Sequence, residues 1–295
     1  NHMFGKRDGH GRRMNFLAIC FNEGCLHRRE NMDDFVDRLE QIGAFLEVSD
    51  VRKGKIVSDI VSEVQLPGPC KLLNELSPTH EARAYLEGDR GFDANVLSQQ
   101  HRIMYCEESF YHYAKFRIII PVYDYGKLKG WQARYVGELP WKTADKELKR
   151  SLPPKYFSCP QSQFRSKCIY NFDSMKQWET GILVEGPTDV WRGGSMLGCI
   201  FGNTVTDMQR RRIRWAFLHK TLIMVLDPEE YDKSSTKEFV RIMTADMPDR
   251  FCALKLPDGT DPGGLDRDWF KDFVKQEAAS QGVKVVYRRT ATAKA

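Results

Sequence analysis

No stretch of the chain approaches the roughly 20 consecutive apolar residues that a membrane-spanning helix requires. A secretory leader is not expected either, because Asn1 to Arg13 is polar and basic with no apolar core ahead of a small-residue cleavage site. No Gly-x4-Gly-Lys-Ser/Thr phosphate loop occurs, which argues against an ATP-driven motor in this chain. The eight cysteines are scattered over 295 residues, a poor match to a disulfide framework, and Cys199 and Cys252 sit in apolar runs as small core residues do. The net charge of +5 is small and excludes little by itself. Its distribution is more telling, since Lys and Arg concentrate at 142–176 and 209–220 while the acids gather in short motifs.

Those motifs follow buried-strand patterns. Gly181-Ile182-Leu183-Val184 is an apolar run that breaks on Glu185-Gly186-Pro187-Thr188-Asp189. Thr221 to Leu226 repeats the arrangement and ends on Asp227-Pro228-Glu229-Glu230. Phe251 to Leu256 does so again before Pro257-Asp258-Gly259-Thr260-Asp261-Pro262-Gly263-Gly264. Helical segments at 189–194, 207–218 and 234–246 separate the runs, and strands alternating with helices predict a mainly parallel sheet with its strand ends along one edge. Glu185, Asp189, Asp227, Glu229 and Asp261 are then expected at that edge, where hard carboxylate oxygens suit Mg²⁺ or Mn²⁺. Taken singly, Asp189 and Asp207 read equally well as helix N-terminal acids.

The sequence Glu-Gly-x-x-Asp at 185–189, the acid pair at 227 and 229, and Leu-Pro-Asp-Gly-x-Asp-Pro at 256–262 resemble the Toprim domain of bacterial and bacteriophage DNA primases of the DnaG type. Met196-Leu197-Gly198 to Thr206 is similar to that family's Leu-Gly-Thr strand and turn. Upstream, the family's Tyr-Leu then Arg-Gly segment is matched by Tyr85-Leu86 and Arg90-Gly91, and its Gly-x-x-x-Arg by Gly130 and Arg134. Lys155-Tyr156 to Pro160 resembles its Pro-Lys-Tyr-x-x-x-Pro, and Lys167 stands where a second lysine follows. Glu229 replaces the usual Asp, and Gly263 stands where an acid is common.

This resemblance covers about residues 78–275. It implies a DNA-dependent RNA polymerase that makes short primers on single-stranded DNA from NTPs, with Glu185, Asp227 and Glu229 catalytic. It also implies a replicative helicase on a separate chain and a home in the cytoplasm of a bacterium or a phage-infected cell. Arg117, Arg134, Lys155 and Lys167 can together hold template or triphosphate phosphates, although each alone reads as ordinary strand-edge charge. A Toprim-type nuclease and a non-catalytic DNA-binding Toprim protein remain the rival readings.

Near the start, Met14 to Cys25 reads as a strand ending in a Cys-x4-Cys knuckle, and Cys20 with Cys25 makes half of a four-ligand Zn²⁺ ribbon. No second cysteine pair follows downstream, His10 and His27 are weaker ligand candidates, and the resemblance places the first pair upstream of residue 1. The expected organisation is a zinc-ribbon remnant and amphipathic helix at 1–48 and a linker at 49–77. A mixed α+β subdomain at 78–178 follows, then an α/β Toprim domain at 179–265 with helices flanking its sheet, and a C-terminal helix and tail at 266–295. Helices are predicted at 78–87, 93–100 and 266–279, a hairpin at 116–136, and a short strand at 283–287.

Overall fold

The computed structural model describes residues 2–7, 13–18 and 64–290, apart from 142, 161, 203, 204 and 261. The chain divides into two compact units, Asn1–Asp59 and Ile60–Ala295. In the first, β1 (His2–Arg7) and β2 (Arg13–Ala18) form an antiparallel hairpin with Met3 opposite Leu17. Cys20, Cys25 and the helix expected near residues 31–46 lie outside the described residues.

The second unit begins with an antiparallel sheet in the order β3-β4-β5-β6-β7. After the edge strand β3 (Cys70–Leu72), the chain enters α1 (Glu81–Arg83) and widens at once into a π turn over Ala84–Asp89. The helix expected at 78–87 is therefore shorter at its start and wider at its end. His80 caps it, its Nδ1 accepting from Ala82 N at 3.2 Å, and Arg90 N reaches back to Tyr85 O at 3.1 Å. Helix α2 (Ala94–His101) follows, capped by Asp93, whose Oδ1 accepts from the amides of Asn95 and Val96. Then come β4 (Met104–Cys106), β5 (Arg117–Asp124) and β6 (Lys127–Tyr135), the last two forming the predicted hairpin. Helix α3 (Lys146–Ser151) leads into β7 (Tyr156–Ser158), and α4 (Phe164–Lys167) and α5 (Phe172–Met175) lead away from this sheet.

The remainder is built on β8 (Thr180–Val184), α6 (Pro187–Gly193), β9 (Leu197–Cys199), α7 (Asp207–Ala216), β10 (Thr221–Leu226), α8 (Pro228–Tyr231), α9 (Ser234–Asp246), β11 (Phe251–Lys255) and α10 (Arg267–Ser280). The four strands are parallel in the order β11-β10-β8-β9, as the alternation of strands and helices predicts. Every residue of β8 is buried, which is why its sequence is a continuous apolar run and does not alternate. The period of two survives in how the faces are shared. Ile182, Val184, Ile223, Val225, Cys252 and Leu254 belong to one core, together with Trp131 and Ile118 to Ile120 of the antiparallel sheet and Phe270 and Val274 of α10. Leu183, Leu222, Met224, Leu226, Phe251 and Ala253 join a second core with Ile213, Phe217, Phe239 and Met243 from α7, α9 and the end of α7.

The strand expected at 283–287 does not form. Its amides are diverted to other partners, Val286 N donating to Thr180 Oγ1 at 2.8 Å, and only an isolated bridge joins Trp178 to Arg289. Among the described residues no helix is long and apolar enough to cross a membrane.

His101 closes α2 with its ring stacked on Tyr170, centroids 5.8 Å apart, and burial lowers its pKa to about 4. An unfolded histidine titrates near pH 6.5 (roughly), so between those values the unfolded chain binds the extra proton. Stability should therefore fall as the pH drops from about 6.5 toward about 4. Urea melts at several pH values should show a shallower acid slope for His101→Phe than for the unaltered protein.

Candidate active site at the parallel sheet edge

Strands β8 and β10 are neighbours, with Leu183 beside Met224, and both run out at the same edge. Glu185 follows β8 and Asp227 follows β10, so the topology brings these two acids together from distant parts of the chain. Both are partly exposed. Asp227 occupies the N-cap position of α8 without using its side chain as the cap, and Pro228 opens that helix. Glu229 is exposed in the same turn.

Asp189 is placed differently. It is 6 % exposed, and its Oδ2 accepts from Gly186 N at 2.9 Å while Thr188 Oγ1 donates to its other oxygen at 3.5 Å. It thus closes the turn between β8 and α6 and orients the residues around Glu185. Burial pushes the neighbouring Cys199 thiol well above its ordinary pKa, and the charges of Asp189 and Glu185 add to that rise.

The third loop leaves β11 beside β10, with Leu256 N donating to Leu226 O at 3.1 Å. Pro257 to Thr260 forms a turn in which Gly259 has φ of +80°, a conformation that side-chain-bearing residues avoid. Asp261 lies outside the described residues. Gly263 is held through its carbonyl, which accepts from Arg192 Nε at 3.1 Å. The other arms of Arg192 donate to Arg90 O at 2.5 Å and Gly91 O at 3.2 Å, tying the Arg-Gly segment to the sheet edge. A cavity of about 260 Å³ opens beside this tether, lined by Phe92, Trp191, Arg192 and Arg267 among others.

The cations expected to grip phosphate occupy two settings. Arg117 and Arg134 are buried, at 4 % and 2 % exposure. Arg117 donates to Pro154 O at 2.6 Å and Trp141 Nε1 donates to Pro153 O at 2.8 Å, so together they fix the turn that presents Lys155. Arg134 donates to Tyr156 and Tyr85 hydroxyls, both at 2.5 Å, and to Glu138 at 3.0 Å. Burial alone would lower its pKa, but Tyr156, Tyr85 and Glu138 hold it above its ordinary value. Gly130 leaves the space that this strand needs, since a Cβ there would meet Phe164 Cδ1 at 2.2 Å.

Lys155 and Arg90 reach the surface at the same spot, lying 3.7 and 3.6 Å from the carboxylate of half-exposed Glu138. Burial acts to raise the Glu138 pKa, yet the Tyr85 hydroxyl and the charges of Lys155, Arg134 and Arg90 bring it below the usual value. Tyr156 then bridges to the acidic side, because its hydroxyl is near Thr188 as well as Arg134. Lys167 is exposed at the end of α4, and its carbonyl accepts from Arg212 Nη1 at 2.9 Å. Motifs in the sequence mark Arg134 and Lys155 as site residues but not Glu138, Arg90 or Arg192, of which only Arg90, in Arg90-Gly91, lies in a motif.

Among the described residues no group of three or more His, Cys, Asp or Glu side chains stands close enough to hold a metal ion. Mg²⁺ is commonly held by one or two carboxylates with water and substrate phosphate completing its shell, and Glu185 with Asp227 is chemically suited to that mode.

No family model matches the sequence, and no curated protein matches it. Solved structures do. The catalytic core of DnaG is 19 % identical over 72 % of this chain and 76 % of that one, with a TM-score of 0.54. The E. coli primase catalytic core is 18 % identical over 69 % and 75 %, with a TM-score of 0.54. The DnaG primase catalytic domain bound to ssDNA is 18 % identical over 71 % and 75 %, at 0.51. The chain therefore has the DnaG primase-core fold.

The division between Asp189 and its neighbours is measurable. Asp189→Ala removes the acceptor for Gly186 N and should cost about 1–2 kcal/mol of stability in urea titration. Glu229→Ala, at an exposed position, should stay within about 0.5 kcal/mol of the unaltered protein.

Proposed function

We propose that this chain is a DNA primase that joins ribonucleotides into short primers on a single-stranded DNA template. The observation that carries the reading is that Glu185, Asp227 and Pro257 follow strands that run parallel and side by side, and so leave the sheet at one edge within a primase-core fold. The similar DnaG domain bound to ssDNA supports a single-stranded template here.

The chain's own groups divide the work. Lys155 and Arg90 offer positive charge to phosphate, while Arg117 and Arg134 keep that pair in place from the interior. Glu185 and Asp227 would hold Mg²⁺ or Mn²⁺, which supplies charge stabilisation to in-line displacement at the nucleotide's phosphate. In an alternative role, Glu185 would accept the proton of the attacking 3′-hydroxyl. Tyr156, between Arg134 and Thr188, keeps the cationic and acidic groups in fixed relation. Cys20 and Cys25 would bind Zn²⁺ in a module that selects the start site, and a replicative helicase would be the partner on a separate chain.

Incubation with single-stranded DNA, labelled NTPs and Mg²⁺ tests the reading directly. A primase lengthens RNA, a nuclease shortens DNA, and a passive binder does neither. Asp227→Ala should reduce synthesis at least 100-fold (roughly, two to three kcal/mol of barrier) and leave DNA binding within about twofold, since no helix cap is lost. Lys155→Ala should weaken synthesis mainly at limiting NTP, without lowering the melting temperature. Full activity of both variants would overturn the assignment.

A further inference from the structure

Cys70 on β3 lies directly opposite Cys106 on β4 in an antiparallel pair. The phase of that ladder is set by Leu73 N, which donates to Ile103 O at 3.1 Å and marks Leu73 and Ile103 as a hydrogen-bonded pair. Such pairs alternate, so Lys71 with Tyr105 is the next one and Cys70 with Cys106 is a non-hydrogen-bonded pair. In that geometry the Cα atoms stand about 4.5 Å apart with side chains on one face, within the span of about 4.4–6.8 Å that a disulfide bridges.

The surroundings hold the register. Gly68, two residues before Cys70, packs so tightly that a Cβ would lie 2.1 Å from the Glu108 carbonyl oxygen, and Phe110 N donates to Pro67 O at 3.0 Å. Both thiols are free, Cys70 partly exposed at the sheet edge and Cys106 buried behind it. Each donates to a nearby carbonyl, Cys70 to Gly68 O at 3.3 Å and Cys106 to Glu108 O at 2.9 Å. The other cysteines of this unit, Cys159, Cys168, Cys199 and Cys252, are buried.

We propose that Cys70 and Cys106 are a site of reversible oxidation, closing to a cross-strand disulfide when the protein meets hydrogen peroxide. Cys70, the outer thiol, attacks the peroxide, the O–O bond breaks, and the products are Cys70 sulfenic acid and water. The Cys106 sulfur then attacks the Cys70 sulfur, the S–S bond forms as the S–O bond breaks, and a second water leaves with the Cys106 proton. Overall two thiols and one hydrogen peroxide give one disulfide and two waters. The lateral pairing sets the two side chains on one face of the sheet, so once the outer Cys70 is oxidised the Cys106 sulfur is the neighbouring thiol that resolves the sulfenic acid. The bond would close a loop containing Tyr85 and Arg90, so oxidation stiffens the segment that lends both groups to the Glu138 cluster.

Treating the full chain with hydrogen peroxide, blocking residual thiols with iodoacetamide and mapping tryptic peptides tests the proposal. The expected result is a peptide pair joined through Cys70 and Cys106, two hydrogens lighter than the reduced pair, formed while the protein keeps its cooperative melt and split by a phosphine. In C70S, a substitution at the partly exposed position that spares the buried one, the linked peptide should vanish. Recovery of both thiols as alkylated peptides, of Cys70 as sulfinic acid, or of Cys70 joined to a different cysteine would overturn it.

Discussion

Two buried arginines, Arg212 and Arg134, and the partly exposed Arg192 tie together the segments around the two sheets of the larger unit, and the candidate site depends on them. A guanidinium removed from water costs several kcal/mol unless it is paired (on the order of), so each burial dictates the positions of its partners. Arg212 of α7 reaches Asp124 at the end of β5 at 2.5 Å, joining the helical layer of the parallel sheet to the antiparallel hairpin. Burial would lower its pKa, but Asp124 holds it above the ordinary value. Arg134 draws in Tyr85, Tyr156 and Glu138, and Arg192 collects the carbonyls of Arg90, Gly91 and Gly263. The parallel edge and the cationic cluster are thereby fixed with respect to each other.

That arrangement separates the cations that position from the cations that can bind. Arg117 and Arg134 lie inside and act through Pro154, Tyr156 and Tyr85. Lys155 and Arg90 reach the surface and share one carboxylate, Glu138. A single anion among several cations keeps all of them charged and gathered, yet leaves the cluster net positive and able to take another anion. Half-exposed Glu138 contributes little stability of its own, because water screens its pairs.

Much of the parallel sheet was legible because its signal is local. The runs ending at Val184 and Leu226 are apolar and break at once on an acid, and the third, Phe251 to Leu256, is interrupted by Lys255 before it breaks on Pro257. The helix at 234–246 has the boundaries that its pattern predicts. Where reading failed, tertiary structure decided. Val283 to Tyr287 has strand composition, but Thr180 Oγ1 takes the Val286 amide that a ladder would need. The segment after Pro78 has helical composition, but the turn widens over Ala84–Asp89 and brings Tyr85 to Arg134. Nothing in the sequence around Arg117 or Arg134 distinguishes a buried guanidinium from one at a strand edge. The burial follows from a core built by residues far away in the chain, including Phe164 and Ile182.

The carboxylates also differ in their access from solvent, Asp189 being buried and Glu185 and Asp227 partly exposed. Asp189 already serves the Gly186 amide, and Gly263 contributes a carbonyl to Arg192 in a loop where an acid would otherwise add a donor. Glu185 and Asp227 stand at adjacent strand ends, two hard donors where a hexacoordinate cation asks for six. Under the proposed polymerase function, the remaining oxygens must come from water and from the nucleotide's own phosphates. Nucleotide and cation would then bind cooperatively, each raising the other's affinity by the same factor, because neither ligand alone completes the set. The sheet edge would in that case be built for a cation that enters with its substrate.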